Sequence, residues 1–219
     1  MVDQFSRERI RPITIAPVGL EGLLGLPQDS KGLVLFAHGS GSGRLSPRNN
    51  FVAQALRDDG LATLLFDLLT DEEARNRGNV FDIELLARRL LMATAWVRQD
   101  DETRDLPVGY FGASTGAAAA LVAEAAHEGR VAAIVSRGGR PDLAGRALPA
   151  VKAPTLLIVG GDDVEVLSLN RAALAELSCA KQLVIVPGAT HLFEEPGTLE
   201  AVVEHARSWF LTQFTEARA

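Results

Sequence analysis

One cysteine, Cys179, stands among 219 residues, which excludes an internal disulfide and fits a reducing compartment. It falls at the end of a helical stretch, where a buried or half-buried thiol is expected rather than a reactive one. No stretch approaches the roughly 18 uninterrupted apolar residues of a membrane span. The start of the chain, Met1 to Arg9, has no apolar core of the length a signal peptide needs. Both absences point to a cytoplasmic protein with no membrane partner. The chain is equally short of concentrated positive charge: its basic residues are scattered and its net charge is −6. That leaves no electrostatic footprint for nucleic acid or an anionic membrane. There is no linker, repeat or low-complexity segment, so residues 1–219 are expected to form one domain. With 47% hydrophobic and 23% charged residues the composition is that of a soluble globular protein, not a disordered one. It carries no oligomer signature, and a homodimer stays an open expectation.

What the chain does have is a turn around which the rest is arranged. Val108 to Phe111 is an apolar run that ends in Gly112-Ala113-Ser114-Thr115-Gly116, a G-x-S-x-G, and an alanine-rich helical stretch begins at once. A serine between a strand and a helix is the setting of a nucleophile elbow. The glycines remove side chains that would clash at so sharp a turn. The N–H of Thr115, at the first helical turn, would point toward an oxyanion forming on an attacked carbonyl. The plainer reading is a glycine-rich turn in which Ser114 only caps the helix.

The remaining segments alternate. Residues 10–26 give two β-leaning stretches around Pro17-Val18-Gly19, expected to form an antiparallel hairpin. Continuous apolar runs at 31–37, 61–67, 107–111, 131–135, 154–159 and 181–186 have the length and composition of strands buried on both faces. Between them lie helical patterns at 48–59, 82–98, 117–129, 165–178 and 199–214, the last with Val202, Val203, Ala206, Trp209 and Phe210 on one face. This βαβ alternation defines an α/β fold, a mostly parallel sheet with an N-terminal antiparallel hairpin and helices on both faces. Residues 71–79 read as a solvated charged loop. The connection between the strands at 131–135 and 154–159 is too short for a cap domain, so the site should be shallow and open.

Several candidate groups fall just beyond carboxyl ends of strands, the edge along which parallel sheets bind ligands. The loop His38-Gly39-Ser40-Gly41-Ser42-Gly43-Arg44 is glycine-rich, but no Gly-Lys-Ser/Thr follows and Arg44 spoils a G-x-G-x-x-G, so a phosphate loop is set aside. Its glycines would instead let the backbone approach a ligand and offer N–H groups. His38 reads as a structural histidine tying this loop down. Ser114, then Asp162 or Asp163, then His191 follow in the order of an α/β-hydrolase. A serine hydroxyl needs a base within hydrogen-bond reach, and a carboxylate would hold the histidine in the right tautomer. Asp163 is preferred over Asp162 because it leaves the strand room to turn. His205, on the solvent face of the last helix, is a poor competitor for the base, and His127 suits a helix C-terminus. Leu68, at a strand outlet, is a candidate pocket residue. Arg44, Arg137 and Arg140 are candidates to bind a substrate carboxylate, the alternative being that they pair with nearby acids.

The segments LVLFAHGSGSGRLSPRN, GYFGASTGAAAAL, VSRGGRPDL, PTLLIVGGDD and PGATHLFEEPG together resemble the small dienelactone-hydrolase-like branch of the α/β-hydrolase superfamily, over nearly the whole chain. The resemblance implies Ser114 as nucleophile, Asp163 as acid and His191 as base. It also implies an oxyanion hole from the N–H groups of Ser40 and Thr115. Family members named for dienelactone carry cysteine at the elbow, and Ser114 here points to ordinary ester hydrolysis. Similar domains occur fused to phosphoribosyltransferases, and none is expected within these residues. The expected function is a serine hydrolase that needs no metal or cofactor and cleaves small short-chain carboxylic esters through an acyl-enzyme. A lactonase, thioesterase or small peptidase, or a non-catalytic binder on the same fold, are the alternatives.

Overall fold

The computed structural model describes residues 9–126 and 131–218, so His127 lies outside the described residues. The apolar runs become strands. β1 (Arg9–Ile15) and β2 (Leu20–Leu26) form the antiparallel hairpin expected at the N-terminus. β3 (Leu33–Ala37), β4 (Ala62–Phe66), β5 (Val108–Ala113), β6 (Ala133–Arg137) and β7 (Thr155–Gly160) are buried at every residue. β8 (Lys181–Val186) is buried only at Val186, not on both faces as expected, because it is the edge strand with a neighbour on one side alone.

One sheet holds the eight strands in the order β1-β2-β4-β3-β5-β6-β7-β8. All pairings from β4 across to β8 are parallel, and β2 joins β4 antiparallel. The chain runs from β3 to one neighbour, β4, and then returns to the other side of β3 with β5. The order therefore reverses at β3, and a crevice opens between the loops leaving β3 and β5, where open α/β sheets take their ligands.

Helices cover both faces. α1 (Pro47–Asp58) and α7 (Thr198–Glu216) pack on one, while α4 (Ile83–Val97), α5 (Thr115–Ala126) and α6 (Val164–Glu176) lie on the other. α5 is buried from Thr115 through Glu124, and its run of alanines lets it lie close under the sheet between α4 and the segment Pro141–Ala150. The buried face of α7 is Val202, Ala206, Phe210 and Phe214, a ridge at four-residue spacing. Val203 and Trp209, expected on that face, flank the ridge and are only half-buried.

Another expectation needs correction. Residues 71–79 are not simply a solvated loop: α2 (Asp71–Ala74) and α3 (Arg77–Val80) are single-turn helices there. α2 starts at a capping box in which Thr70 and Glu73 satisfy each other's main-chain N–H groups, and Glu73 also pairs with Arg89 of α4. The connection 138–154 holds the tight 3-10 segment Pro141–Ala150 and no cap domain, which leaves the carboxyl edge of the sheet uncovered on that side.

Candidate active site

The elbow arises from close packing. Ser114 has φ +50°, a left-handed conformation that a non-glycine residue adopts only where its surroundings hold it. Its N–H donates to the Arg137 carbonyl at 3.4 Å, and its carbonyl accepts from Ala117 N–H at 3.1 Å and Arg140 N–H at 3.0 Å. A Cβ on Gly116 would lie 2.0 Å from the Ala37 carbonyl oxygen, and one on Gly112 would lie 2.4 Å from Ala117 Cα. Only glycine at these positions lets α5 start so close to the sheet. Ser114 thereby sits half-buried at the tip of the turn, in the wall of a cavity of about 550 Å³.

His191 borders the same cavity. Its Nδ1 lies 2.7 Å from Oδ2 of Asp163. An ionised carboxylate only accepts, so Nδ1 carries the hydrogen and Nε2 is left as the basic nitrogen. Asp163 is the N-cap of α6, yet its side chain makes no capping bond and goes to His191 instead. Two close contacts fix the pair. A Cβ on Gly160 would lie 2.2 Å from the Ala189 carbonyl oxygen, which packs the end of β7 against the loop after β8. Glu195 accepts from both the N–H and the hydroxyl of Thr190, bracing that loop beside His191. Asp162 is exposed and contributes a main-chain bond to Ala189.

The loop after β3 meets the elbow from the opposite side. Ser40 N–H donates to the Thr115 hydroxyl at 3.1 Å, so the two residues expected to form the oxyanion hole are adjacent. A Cβ on Gly39 would stand 2.9 Å from Cβ of Ser114, so this loop approaches the serine as closely as a glycine allows. His38 anchors it: Nδ1 bonds the Gly39 carbonyl and Nε2 accepts Leu68 N–H, each at 3.0 Å. These partners require the neutral ring, and burial holds its pKa below 6.5. His205 is exposed on α7.

The four candidate substrate contacts separate. Leu68 is fully buried in the core and presents no surface to a pocket; the strand outlet is instead represented by Leu69, in the wall of a second cavity of about 290 Å³ across the 39–42 loop. Arg140 lies outside the wall of the larger cavity, its guanidinium held by both oxygens of Asp142 at 2.9 and 2.7 Å. Arg44 lines that cavity but is paired with Asp67 and Glu21. Arg137 lines it too, buried, with one bond of 3.1 Å to the Asn49 amide oxygen and its guanidinium 5.9 Å from the centre of the Phe193 ring. Arg48, Asn49 and Phe193 were not anticipated as neighbours of the site. Phe193 shows itself only in the folded chain, through a φ of +56°. Asn49, a fully polar residue on the buried face of α1, was visible as a break in that face's apolar pattern. Cys179 is half-buried, and burial pushes its thiol pKa up. Among the described residues no cluster of side chains could hold a metal ion, and no helix is long and apolar enough to cross a membrane.

A reversal of strand order at β3, a strained serine at the outlet of β5 and a histidine-carboxylate pair on the same edge define an α/β-hydrolase. The chain belongs to the dienelactone hydrolase family, whose model matches residues 20–216. A dienelactone hydrolase from Anabaena variabilis is 55% identical, with a TM-score of 0.90 over 94% of this chain and 98% of that one. The fold alone is shared with a serine hydrolase without lid from Xanthomonas campestris, at 22% identity, 92% of each chain and a TM-score of 0.73. Two curated Mycobacterium tuberculosis proteins that carry a phosphoribosyl transferase name are 60% identical over 95% of this chain. The match takes in 47% of their length, so the chain spans about half of these relatives.

Proposed function

We propose that this member of the family is a serine hydrolase of short-chain carboxylic esters, working in the cytoplasm through an acyl-enzyme. Ser114 attacks the ester carbonyl while His191 Nε2 takes the hydroxyl proton, and Asp163 holds the ring and stabilises the imidazolium that forms. The N–H of Thr115 receives the oxyanion, joined by that of Ser40, which exchanges its bond to the Thr115 hydroxyl for one to the oxyanion. His191 returns its proton to the leaving alcohol. It then draws a proton from water, whose oxygen attacks the acyl carbon and frees the acid and Ser114.

The observation that carries this reading is the 2.7 Å contact of Asp163 with His191, a histidine that shares the wall of one cavity with Ser114. Serine at the elbow supports an ester substrate over the dienelactone named for the family. The uncovered carboxyl edge of the sheet supports small or exposed substrates. Hydrolysis of p-nitrophenyl esters from acetate to octanoate, with Ser114→Ala as control, tests it. Turnover of the short esters that vanishes in the variant is expected; an inactive, well-folded wild type across the series contradicts it.

A further inference from the structure

We infer that Arg137, backed by the N-terminus of α1, forms a subsite for an anionic group, a carboxylate or a phosphate, in the cavity that contains Ser114 and His191. That the anion is part of the substrate rests on the proposed hydrolase reading; the anion site itself rests on geometry alone.

Three arginines border this cavity, and two are neutralised within the chain. Arg44 pairs with Asp67 and Glu21, and Arg48 reaches Glu194 at 2.9 Å. Arg137 has no carboxylate within 4.0 Å among the described residues. It is 6% exposed, and among the described residues its one hydrogen-bond partner is the uncharged Asn49 amide and its buried Nε has none. Burial and the nearby Arg48 bring its pKa down to about 10, which still leaves it cationic at neutral pH. A buried charge without a counterion is costly, and the cost is relieved when an anion fills the place of the missing partner.

The second observation lies beside it. α1 begins at the cavity wall, where Ser46 is its N-cap and Pro47 its first residue, and its first turn carries no acidic side chain. The Ser46 hydroxyl caps the Asn49 N–H at 3.4 Å, but no carboxylate of the first turn offsets the positive end of the helix dipole, which lies on the same wall as the guanidinium. Asn49, which holds Arg137, is itself in that first turn, so the two features are one structure. A planar guanidinium suits two oxygens of a carboxylate or a phosphate. Arg137 is also the register partner of Ala113, the residue before Ser114, so an anion held there sits close to the ester under attack. The chain's preferred esters are accordingly short ones with a negative charge near the scissile bond.

Calorimetric titration of Ser114→Ala protein with succinate and with inorganic phosphate, at low ionic strength, tests the site without any turnover. Binding of at least one is expected, weakened about 10- to 100-fold in Arg137→Gln and partly restored in Arg137→Lys. Succinate alone identifies a carboxylate site, and phosphate alone a phosphate site. The wild type should also hydrolyse monomethyl succinate, or 2-acetoxyethyl phosphate, about 10-fold or more faster in kcat/KM than the uncharged methyl butyrate or ethyl acetate. If folded protein binds neither anion, or binds them equally well without Arg137, the inference is overturned, even if Arg137→Gln alone fails to fold. Anion binding in a chain that cleaves no ester leaves the site standing and removes the hydrolase reading; ester cleavage with no anion binding does the reverse.

Discussion

The main-chain N–H of Ser40 donates to the hydroxyl of Thr115 at 3.1 Å, fastening the loop after β3 to the residue that follows Ser114. The Thr115 side chain thus holds the Ser40 N–H beside the first turn of α5, although the two residues are 75 apart in sequence, and the oxyanion takes over this donor when it forms. Thr115→Val keeps the Thr115 N–H but removes the acceptor. An ordinary hydrogen bond is worth about 1 kcal/mol, so kcat/KM on a short ester should fall by up to about 10-fold, with Thr115→Ser restoring it. Steady-state kinetics of the three proteins checks this; equal rates would show that the tie has no part in placing Ser40.

The choice between the two adjacent aspartates is open to a direct comparison. Asp163→Asn replaces the carboxylate 2.7 Å from His191 Nδ1 with an amide that allows the wrong tautomer. Ester turnover should drop by about 10³- to 10⁴-fold, the scale of such a loss in other serine hydrolases. Asp162→Asn, at an exposed position whose tie is through the main chain, should change the rate by less than about 3-fold, as surface substitutions do. Kinetics on the pair of variants decides it, and equal losses would reassign the acid.

Gly39→Ala probes the packing of the oxyanion loop on the nucleophile. The new methyl would stand 2.9 Å from Cβ of Ser114 and 3.1 Å from the Ala113 carbonyl oxygen, so the loop or the serine must shift. Displacements of this kind at a reacting centre cost about 100-fold in rate. The melting temperature should fall by only a few degrees, because the loop can give where the sheet cannot. An active Gly39→Ala protein would mean that the loop moves freely without cost to the site.

Acid stability should carry the mark of His38. Its neutral ring accepts Leu68 N–H, and burial keeps its folded pKa below 6.5. Between the folded value and 6.5 the unfolded chain binds more protons than the folded one. The stabilisation from the neutral ring is therefore complete above pH 6.5 and declines as pH falls below it, at no more than about 1.4 kcal/mol per pH unit. Urea unfolding across this range should give a shallower pH slope for His38→Asn than for the wild type. Parallel slopes would remove His38 from the acid transition.

Much of this arrangement was legible in the residues. The buried strands announced themselves as continuous apolar runs, since a parallel sheet covered on both faces leaves no polar alternation. Ser114 was readable because a strained turn needs Gly112 and Gly116, and His191 because it follows the last strand on the edge where Ser114 and Asp163 also fall, in the order Ser, Asp, His. What stayed hidden was pairing between side chains distant in sequence. Arg44, Arg137 and Arg140 look alike as letters, and only the fold separates the two that meet acids from the one that meets Asn49. Leu68 and Leu69 differ by one position in a strand outlet, and a single residue decides which faces the core. The helices α2 and α3 were masked by a charged sequence, although Thr70-Asp71-Glu72-Glu73 does spell a capping box.

The central claim is that Ser114 is a nucleophile activated by His191. Its most direct test is intact-protein and peptide mass spectrometry after exposure to a fluorophosphonate, with wild type, Ser114→Ala and His191→Ala compared at equal fold by circular dichroism. A single adduct on Ser114 in the wild type, none in Ser114→Ala and strongly slowed labelling in His191→Ala is the predicted result. Folded wild-type protein that takes up no label, or takes it up as fast without His191, would contradict the account.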